Sequence, residues 1–242
     1  MDNLIFDTDD LNSFLSSSEF YNTDEDIGTE EPKKQKNKKT SDSLAKNAKQ
    51  FLHENNIREN IFNKPSFQIL KNVLTDLRLP IPGEQIRIRT QQQINLISIV
   101  LKLIKTHKTI DELTIATYTL NRISMDTIIP LVEAKKIKKL NLMISSSYGF
   151  RDKKYFEELK ENWFDLGQKF DVHLTFAWSH LKITLAKCGN NFYQIEGSMN
   201  YSTNNQAEQL FFENNSETYH HDYNFIIGIM LEKENKALEI II

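Results

Sequence analysis

The segment from residue 112 to residue 196 alternates strand-like and helix-like patterns, and this alternation constrains the fold most. ELTIATYT at Glu112–Thr119 and KLNLMIS at Lys139–Ser145 are β-branched and apolar, which is typical of buried strands. Amphipathic helices are predicted at Met125–Lys135 and Lys154–Phe170. Three more strands are predicted at Val172–Trp178, Lys182–Lys187 and Phe192–Glu196. The pattern predicts an α/β fold with helices flanking a mixed sheet.

Weaker patterns lie on both sides of this segment. An amphipathic run predicts a helix over Phe67–Leu77, alternation predicts a strand over Glu84–Arg89, and Gln91–Thr106 is predicted as an apolar helix. Beyond residue 196, we expect a helix over Thr203–Phe211 and a last strand over Phe225–Leu231.

The net charge of −3 hides a strong partition along the chain. Residues 1–32 hold ten acidic and no basic side chains, which leaves 30 basic and 23 acidic side chains, net +7, in residues 33–242. Lysine dominates residues 33–49. Like-charge blocks cannot bury enough apolar surface to fold, so we expect a disordered acidic tail and lysine-rich linker over 1–45. A helical segment over 46–80 and one domain over 81–242 are expected to follow.

The charged blocks leave several roles open. The tail carries scattered aromatic residues and either docks on a partner, folds back over the chain's own basic cleft, or only aids solubility. The lysine cluster fits a nuclear-import signal, a nucleic-acid contact or a solvated linker.

The cysteine count and the hydropathy pattern restrict the cellular compartment and the class of protein. One cysteine excludes a disulfide framework and a cysteine-rich zinc module, and it favours a reducing compartment. No run of 18 apolar residues is present and the first residues are acidic, so we expect a cytoplasmic protein with no membrane segment and no export signal.

One group of polar residues in the sequence is suited to catalysis. His180 lies two residues before Lys182, which begins a predicted strand, so in extended backbone the two side chains share a face. The next strand ends in Gly-Ser-Met-Asn, which places Ser198 and Asn200 near them, and Glu208 follows. An imidazole nucleophile beside a cation, a hydroxyl and an amide suits attack on a phosphodiester, and a carboxylate can orient the imidazole. The scheme needs no metal and no cofactor.

These residues resemble the signature of single-motif members of the phospholipase D superfamily. That signature is His-x-Lys, four residues, Asp, then Gly-Ser-x-Asn and a later Glu. The residues that match this signature are His180, Lys182, Gly197, Ser198, Asn200 and Glu208. Lys187 occupies the Asp position. The amino-acid sequence around them, over roughly residues 80–225, is similar to phospholipase D-like proteins of Bacteroidetes genomes and mobile elements.

The resemblance implies a phospholipase D-like mixed sheet and a phosphohistidine intermediate. It also implies a homodimer whose subunits each supply one motif, acting on nucleic acid, with DNA expected, in a bacterial or phage-encoded protein. In these roles His180 is nucleophile or general acid, Lys182, Ser198 and Asn200 bind phosphate, and Glu208 orients a histidine. The alternative is a degenerate domain that binds nucleic acid or a protein without cleaving, as a component of a phage or mobile element.

Four other features have ordinary explanations. Tyr219–Asp222 is expected to form an exposed loop rather than a substrate contact. Cys188 lies in a predicted turn without a nearby histidine and is expected to be inert. Trp163 is expected in the core, as is Trp178, for which lining the site or stacking on a base is the alternative.

Overall fold

The computed structural model describes residues 66–69, 73–90, 94–147, 153–202 and 208–239. The expected acidic tail and lysine-rich linker lie outside the described residues. The expected helical segment lies outside them up to residue 65. Within the described ranges, eight strands form one sheet. They are β1 (Ser66–Ile69), β2 (Gln85–Thr90), β3 (Glu112–Thr117), β4 (Lys139–Ser145), β5 (Asp171–Ala177), β6 (Ile183–Cys188), β7 (Asn191–Gly197) and β8 (Glu208–Asn214).

The sheet is mixed, with strand order β1-β2-β8-β7-β6-β3-β4-β5. The pairs β1/β2, β3/β4 and β4/β5 are parallel, whereas β8 and β6 run antiparallel to both of their neighbours. The central strands β3 and β4 are buried on both faces, as their continuous apolar sequences predict. The predicted α/β class, a mixed sheet flanked by helices, is confirmed.

The described helices are α1 (Val73–Asp76), α2 (Ile97–His107), α3 (Arg122–Glu133), α4 (Lys153–Gly167) and α5 (Ser216–Glu239). Phe156 on α4 contacts Phe176, which lies on one face of the sheet. Helix α5 packs on Met143 and Leu185, which lie on the other face. The sheet is therefore covered on both faces. None of the helices described is long and apolar enough to span a membrane.

Apolar periodicity forms the helices as predicted in three cases. Helix α2 buries Ile97, Val100, Leu101 and Ile104 along one side. Helix α3 begins where the Asn121 side chain accepts a hydrogen bond from the Ser124 N–H. Trp163, only 2% exposed, is a residue of α4 that packs into the core, which confirms its predicted position.

The helix predicted over Phe67–Leu77 is wrong in its first part. Ser66–Ile69 is a strand that pairs in parallel with β2, and a helix forms only over Val73–Asp76. Strand β2 supplies hydrogen-bond partners for the backbone of this stretch. A short helix would have to form its hydrogen bonds within its own few residues, which is unfavourable.

The helix predicted over Thr203–Phe211 is also wrong, because residues 208–214 form β8. This strand lies between β2 and β7 and pairs with both. Glu208, Leu210 and Phe212 alternate toward one buried face, which is the periodicity of a strand. Residues 203–207 lie outside the described part.

The loop predicted at Tyr219–Asp222 and the strand predicted at Phe225–Leu231 are wrong, because both segments belong to α5. The Asn215 side chain caps this helix by accepting hydrogen bonds from the Glu217 and Thr218 N–H groups. Tyr219, Ile226 and Met230 then lie buried on one side, at helical spacing.

Candidate functional site

The topology brings the predicted site residues to one edge of the sheet. Strands β2, β3, β4, β5 and β7 end at this edge, whereas β6 and β8 begin there. We call it the carboxyl edge. His180 and Lys182 directly precede β6, Ser198 and Asn200 follow β7, and Glu208 is the first residue of β8. All five therefore lie at the carboxyl edge.

The same edge is favourable to anions. Helices α2, α3 and α4 each follow a strand that ends there, so their N-termini lie at the carboxyl edge. The N–H groups of a helix N-terminus carry a partial positive charge, which stabilises a nearby anion.

His180, Lys182 and Tyr118 form one cluster. The Lys182 Nζ lies 3.2 Å from His180 Nδ1 and donates a 3.2 Å hydrogen bond to the His180 carbonyl. The Tyr118 ring, directly after β3, is tilted at 57° against the imidazole with centroids 4.8 Å apart. The Lys182 Nζ lies 5.8 Å from the centroid of that ring. Tyr118 was not among the predicted residues; an aromatic residue at the end of a central strand is the signal that would have indicated it.

The contact between lysine and histidine sets the proton position on the imidazole. A lysine ammonium can only donate, so the Nδ1 that faces it is the acceptor and a neutral ring carries its proton on Nε2. Burial lowers the pKa of Lys182, while the Glu208 carboxylate and Tyr118 act in the opposite direction.

Ser198, Gln209 and Glu208 form a second cluster. The Ser198 hydroxyl donates a hydrogen bond to the buried Glu208 carboxylate. Its oxygen also accepts from the Gln209 N–H at 3.1 Å, and the Ser198 N–H donates to the Gln209 carbonyl at 3.0 Å. These bonds fix the hydroxyl on the end of β8. The carboxylate predicted to orient a histidine thus hydrogen-bonds the serine of the motif, and orientation of a histidine by Glu208 stays a prediction.

The chain after β7 links the two clusters. The Asn200 Oδ1 lies 3.5 Å from the Thr117 hydroxyl at the end of β3. The buried Tyr201 hydroxyl hydrogen-bonds Thr184 at 2.8 Å, and the Tyr201 carbonyl accepts from the Asn121 N–H at 2.9 Å. The Gly-Ser-x-Asn segment is therefore held against the loop that carries Tyr118, and Asn200 lies between the two clusters.

Trp178 lies at the same edge and is 78% exposed. The expectation that it packs in the core is wrong, because β5 ends at Ala177 and the next residue leaves the sheet. Residues 178–182 connect β5 to β6 along the carboxyl edge, and the Ser179 hydroxyl accepts the Leu181 N–H at 3.1 Å.

The departure from the signature falls away from this edge. Lys187 lies near the other end of β6, with its Nζ 5.8 Å from the Phe192 ring centroid. Burial raises the pKa of the neighbouring Cys188 thiol to about 12, which keeps it protonated. Among the residues that the structure describes, no group of three or more His, Cys, Asp and Glu side chains could hold a metal ion.

The adjacent histidines of α5 are engaged locally. His220 Nδ1 lies 2.6 Å from the Ser216 carbonyl, one turn earlier, and His221 Nδ1 lies 2.9 Å from the Asp222 carboxylate. Both contacts are within the first turns of the helix, which begins at the edge opposite the carboxyl edge.

Comparisons with known proteins give partial likenesses. No family model and no curated protein sequence matches the chain. The solved structure of Nuc from Salmonella typhimurium, described as a phospholipase D family member, matches with 12% identity and a TM-score of 0.41, over 55% of this chain and 86% of Nuc. A polyphosphate kinase from Porphyromonas gingivalis matches with 12% identity and a TM-score of 0.43, over 60% of this chain and 26% of the kinase. The functional proposal therefore rests on the side chains at the carboxyl edge.

Proposed function

We propose that this chain hydrolyses phosphodiesters of nucleic acid through a phosphohistidine formed on His180, in a site shared by two copies of the chain. The observation that carries the proposal is the 3.2 Å contact between His180 Nδ1 and Lys182 Nζ at a sheet edge where three of the described helices begin. A nucleophile and a cation for a phosphate oxygen are thus adjacent in an environment that favours anions.

In the first step, His180 Nε2 attacks the phosphorus and the bond to the leaving oxygen breaks. For this attack Nε2 must be unprotonated, because its lone pair forms the bond to phosphorus. In the described geometry, however, Nδ1 accepts from Lys182, so the proton of the neutral ring is on Nε2. We propose that bound phosphate draws the ammonium from Nδ1, so that Nδ1 can take the proton. The leaving alkoxide receives a proton from the same histidine of the second copy.

The groups around His180 stabilise the charge that develops on phosphorus. Lys182 neutralises a non-bridging oxygen, and the Asn200 side-chain amide supplies a neutral donor at the same edge. The Ser198 hydroxyl is already donated to Glu208, so Glu208 holds it in place on β8. Tyr118 packs against the imidazole and limits its rotation.

In the second step, water attacks the phosphohistidine and the P–N bond breaks. The histidine of the second copy, now neutral, removes a proton from this water, and His180 leaves as the neutral imidazole with its proton on Nδ1. The cycle is redox-neutral and closes with both histidines restored, and no step requires a metal ion. The phosphodiester becomes a phosphomonoester and an alcohol.

One observation favours a second candidate, the degenerate domain that binds without cleaving. In the described geometry the lysine donates to the imidazole nitrogen that a nucleophilic histidine needs for its proton. A phosphate-binding site that has lost turnover would keep the same cation and the same helix N-termini. This candidate predicts salt-sensitive binding of nucleic acid that survives His180→Ala.

The test is hydrolysis of bis(p-nitrophenyl) phosphate with and without EDTA. We expect turnover by the full chain in EDTA, loss of turnover in His180→Ala, and unchanged turnover in His173→Ala. His173 is the matched control because it is an exposed histidine toward the other end of β5, beside Asp171. Equal turnover by His180→Ala would contradict the mechanism, and no turnover by any form would favour the binding domain.

A further inference from the structure

Trp178 is exposed at the carboxyl edge although nothing in the proposed chemistry uses it. The chain has two tryptophans, and they differ sharply: Trp163 is 2% exposed and Trp178 is 78% exposed. A large aromatic ring in water loses the free energy that burial would give, and exposed tryptophans are typical anchors of binding surfaces. The position of the ring therefore calls for a binding partner.

The chain path keeps this tryptophan at the edge. Strands β4 and β3 lie between β5 and β6, so residues 178–182 must cross about three strand spacings, on the order of 14 Å. Six peptide units from Ala177 to Ile183 reach about 20 Å at most. The connection is thus largely extended, and Trp178 cannot retreat far into the fold.

The same path places the ring close to the histidine. Trp178 and His180 are two residues apart, so their Cα atoms are within about 7 Å of each other. A ligand group adjacent to a phosphate held by Lys182 is therefore within reach of the indole.

The charge of the carboxyl edge favours an anionic partner. The Lys182 ammonium and the N-termini of α2, α3 and α4 favour a phosphate anion, and a flat apolar ring favours a flat aromatic group beside it. A phosphodiester that carries an aromatic base meets both requirements. The base must be unpaired, because the faces of bases in a duplex are covered by their neighbours.

We propose that Trp178 stacks on an unpaired nucleobase next to the phosphodiester bound by Lys182, so that the site takes single-stranded nucleic acid. This inference rests on the proposed nucleic-acid substrate and adds the state of the strand. Stacking on tryptophan is tolerant of base identity, so it selects single strands without a strict sequence preference.

The test measures binding without turnover. In the His180→Ala background of the full chain, a short oligothymidylate is titrated while tryptophan fluorescence and affinity are followed. The probe is compared with an oligonucleotide of equal length and charge whose sugars lack bases. We expect quenching and tighter binding with the bases present, and an affinity about ten-fold lower in Trp178→Ala, since stacking on an aromatic side chain contributes to the affinity for each base.

Two variants control for the aromatic ring. Trp178→Phe keeps a stacking surface and is expected to retain most of the affinity. Phe164→Ala removes another exposed aromatic ring, near the end of α4 and toward the opposite edge, and is expected to bind like the parent. Equal affinity for both probes, or unchanged affinity in Trp178→Ala, would overturn the inference. The chain could instead self-associate with a change in tryptophan fluorescence, and this association could abolish the response to oligonucleotide. That result would also overturn the inference and would assign the ring to contact with a second copy of the chain.

Failure of this inference is distinguishable from failure of the proposed function. Base-dependent binding without any hydrolysis of bis(p-nitrophenyl) phosphate supports stacking and contradicts the phosphodiesterase. Hydrolysis with no preference for bases contradicts stacking and leaves the phosphodiesterase supported. Absence of both overturns both.

Discussion

Glu213 is a carboxylate buried where β8 meets α5. The Gln85 side chain donates a 3.4 Å hydrogen bond to it. Burial, followed by the charges of Asp222 and Glu196, raises the pKa of Glu213. The folded state therefore holds this proton more tightly than the unfolded chain does. Between the unfolded value near 4.5 and the raised folded value, the contribution of Glu213 to stability falls as pH rises.

Glu213→Gln is accordingly expected to stabilise the protein near neutral pH. The neutral amide avoids the cost of a buried charge, and we expect a gain on the order of 1 kcal/mol in the free energy of unfolding. The gain should shrink between about pH 7 and about pH 5, because the raised pKa of Glu213 makes the folded protein take up this proton more readily than the unfolded chain as pH falls. Urea denaturation at both pH values measures it.

The matched control for this substitution is Glu161→Gln, an exposed change on α4 that should have little effect at either pH. The lower pH stays above the range in which Asp111 takes up its proton, because Lys138 and the Gly189 N–H lower the pKa of Asp111. A gain in Glu213→Gln that does not depend on pH, or a loss near neutral pH, would show that burial does not penalise the Glu213 charge.

Individual residues differ in how far the sequence predicts them. The strand pattern, the side-chain chemistry and the resemblance to a known signature predict five site residues, and the sheet brings them to one edge: His180, Lys182, Ser198, Asn200 and Glu208. Tyr118 was missed because its contact with His180 joins residues far apart in the chain. Trp178 was placed in the core because the strand pattern runs through it, whereas β5 ends one residue earlier.

Among the elements, Gly197 marks the closest approach of two strands. A Cβ at this position would meet the Gln209 carbonyl oxygen and would lie 2.7 Å from the Leu210 Cα, both of which are backbone atoms. The β7–β8 pairing could then persist only if one strand shifted. Gly197 thus allows the serine of the motif to reach Gln209 and Glu208.

Gly197→Ala is expected to destabilise the fold by about 1–3 kcal/mol, the usual cost of forcing an extra carbon into a packed site. Gly228→Ala is the matched control, because Gly228 lies within α5 with nothing within 4 Å of the added Cβ. That change should stabilise the helix by about 0.5–1 kcal/mol. Thermal unfolding compares the two, and equal effects would contradict the described approach of β7 to β8.

Element type was predictable where local pattern and tertiary partners agree. The apolar strands β3 and β4 and the periodic helix α4 satisfy both conditions. FIIGIML in α5 is β-branched and indicates a strand locally, but the Asn215 cap and packing on the sheet make it helical. β8 has a weak pattern of its own and depends on its two neighbours.

At the scale of the whole molecule, strand order creates the site. β8 is inserted between β2 and β7, and β6 between β7 and β3, so the antiparallel strands begin where their neighbours end. No local signal in the sequence indicates this order, since pairing partners lie as much as 128 residues apart at Gln85 and Glu213. The motif predicts candidate residues, and the topology explains why they lie at one edge of the sheet.

In the proposed mechanism, His180 becomes covalently bound to phosphorus. The most direct measurement is a rapid alkaline quench of the full chain turning over bis(p-nitrophenyl) phosphate, followed by proteolysis and mass spectrometry to locate the adduct. We predict one phosphoramidate, on His180, which His180→Ala lacks and His173→Ala retains. Turnover with no adduct on His180, or with the adduct on another residue, would contradict the account.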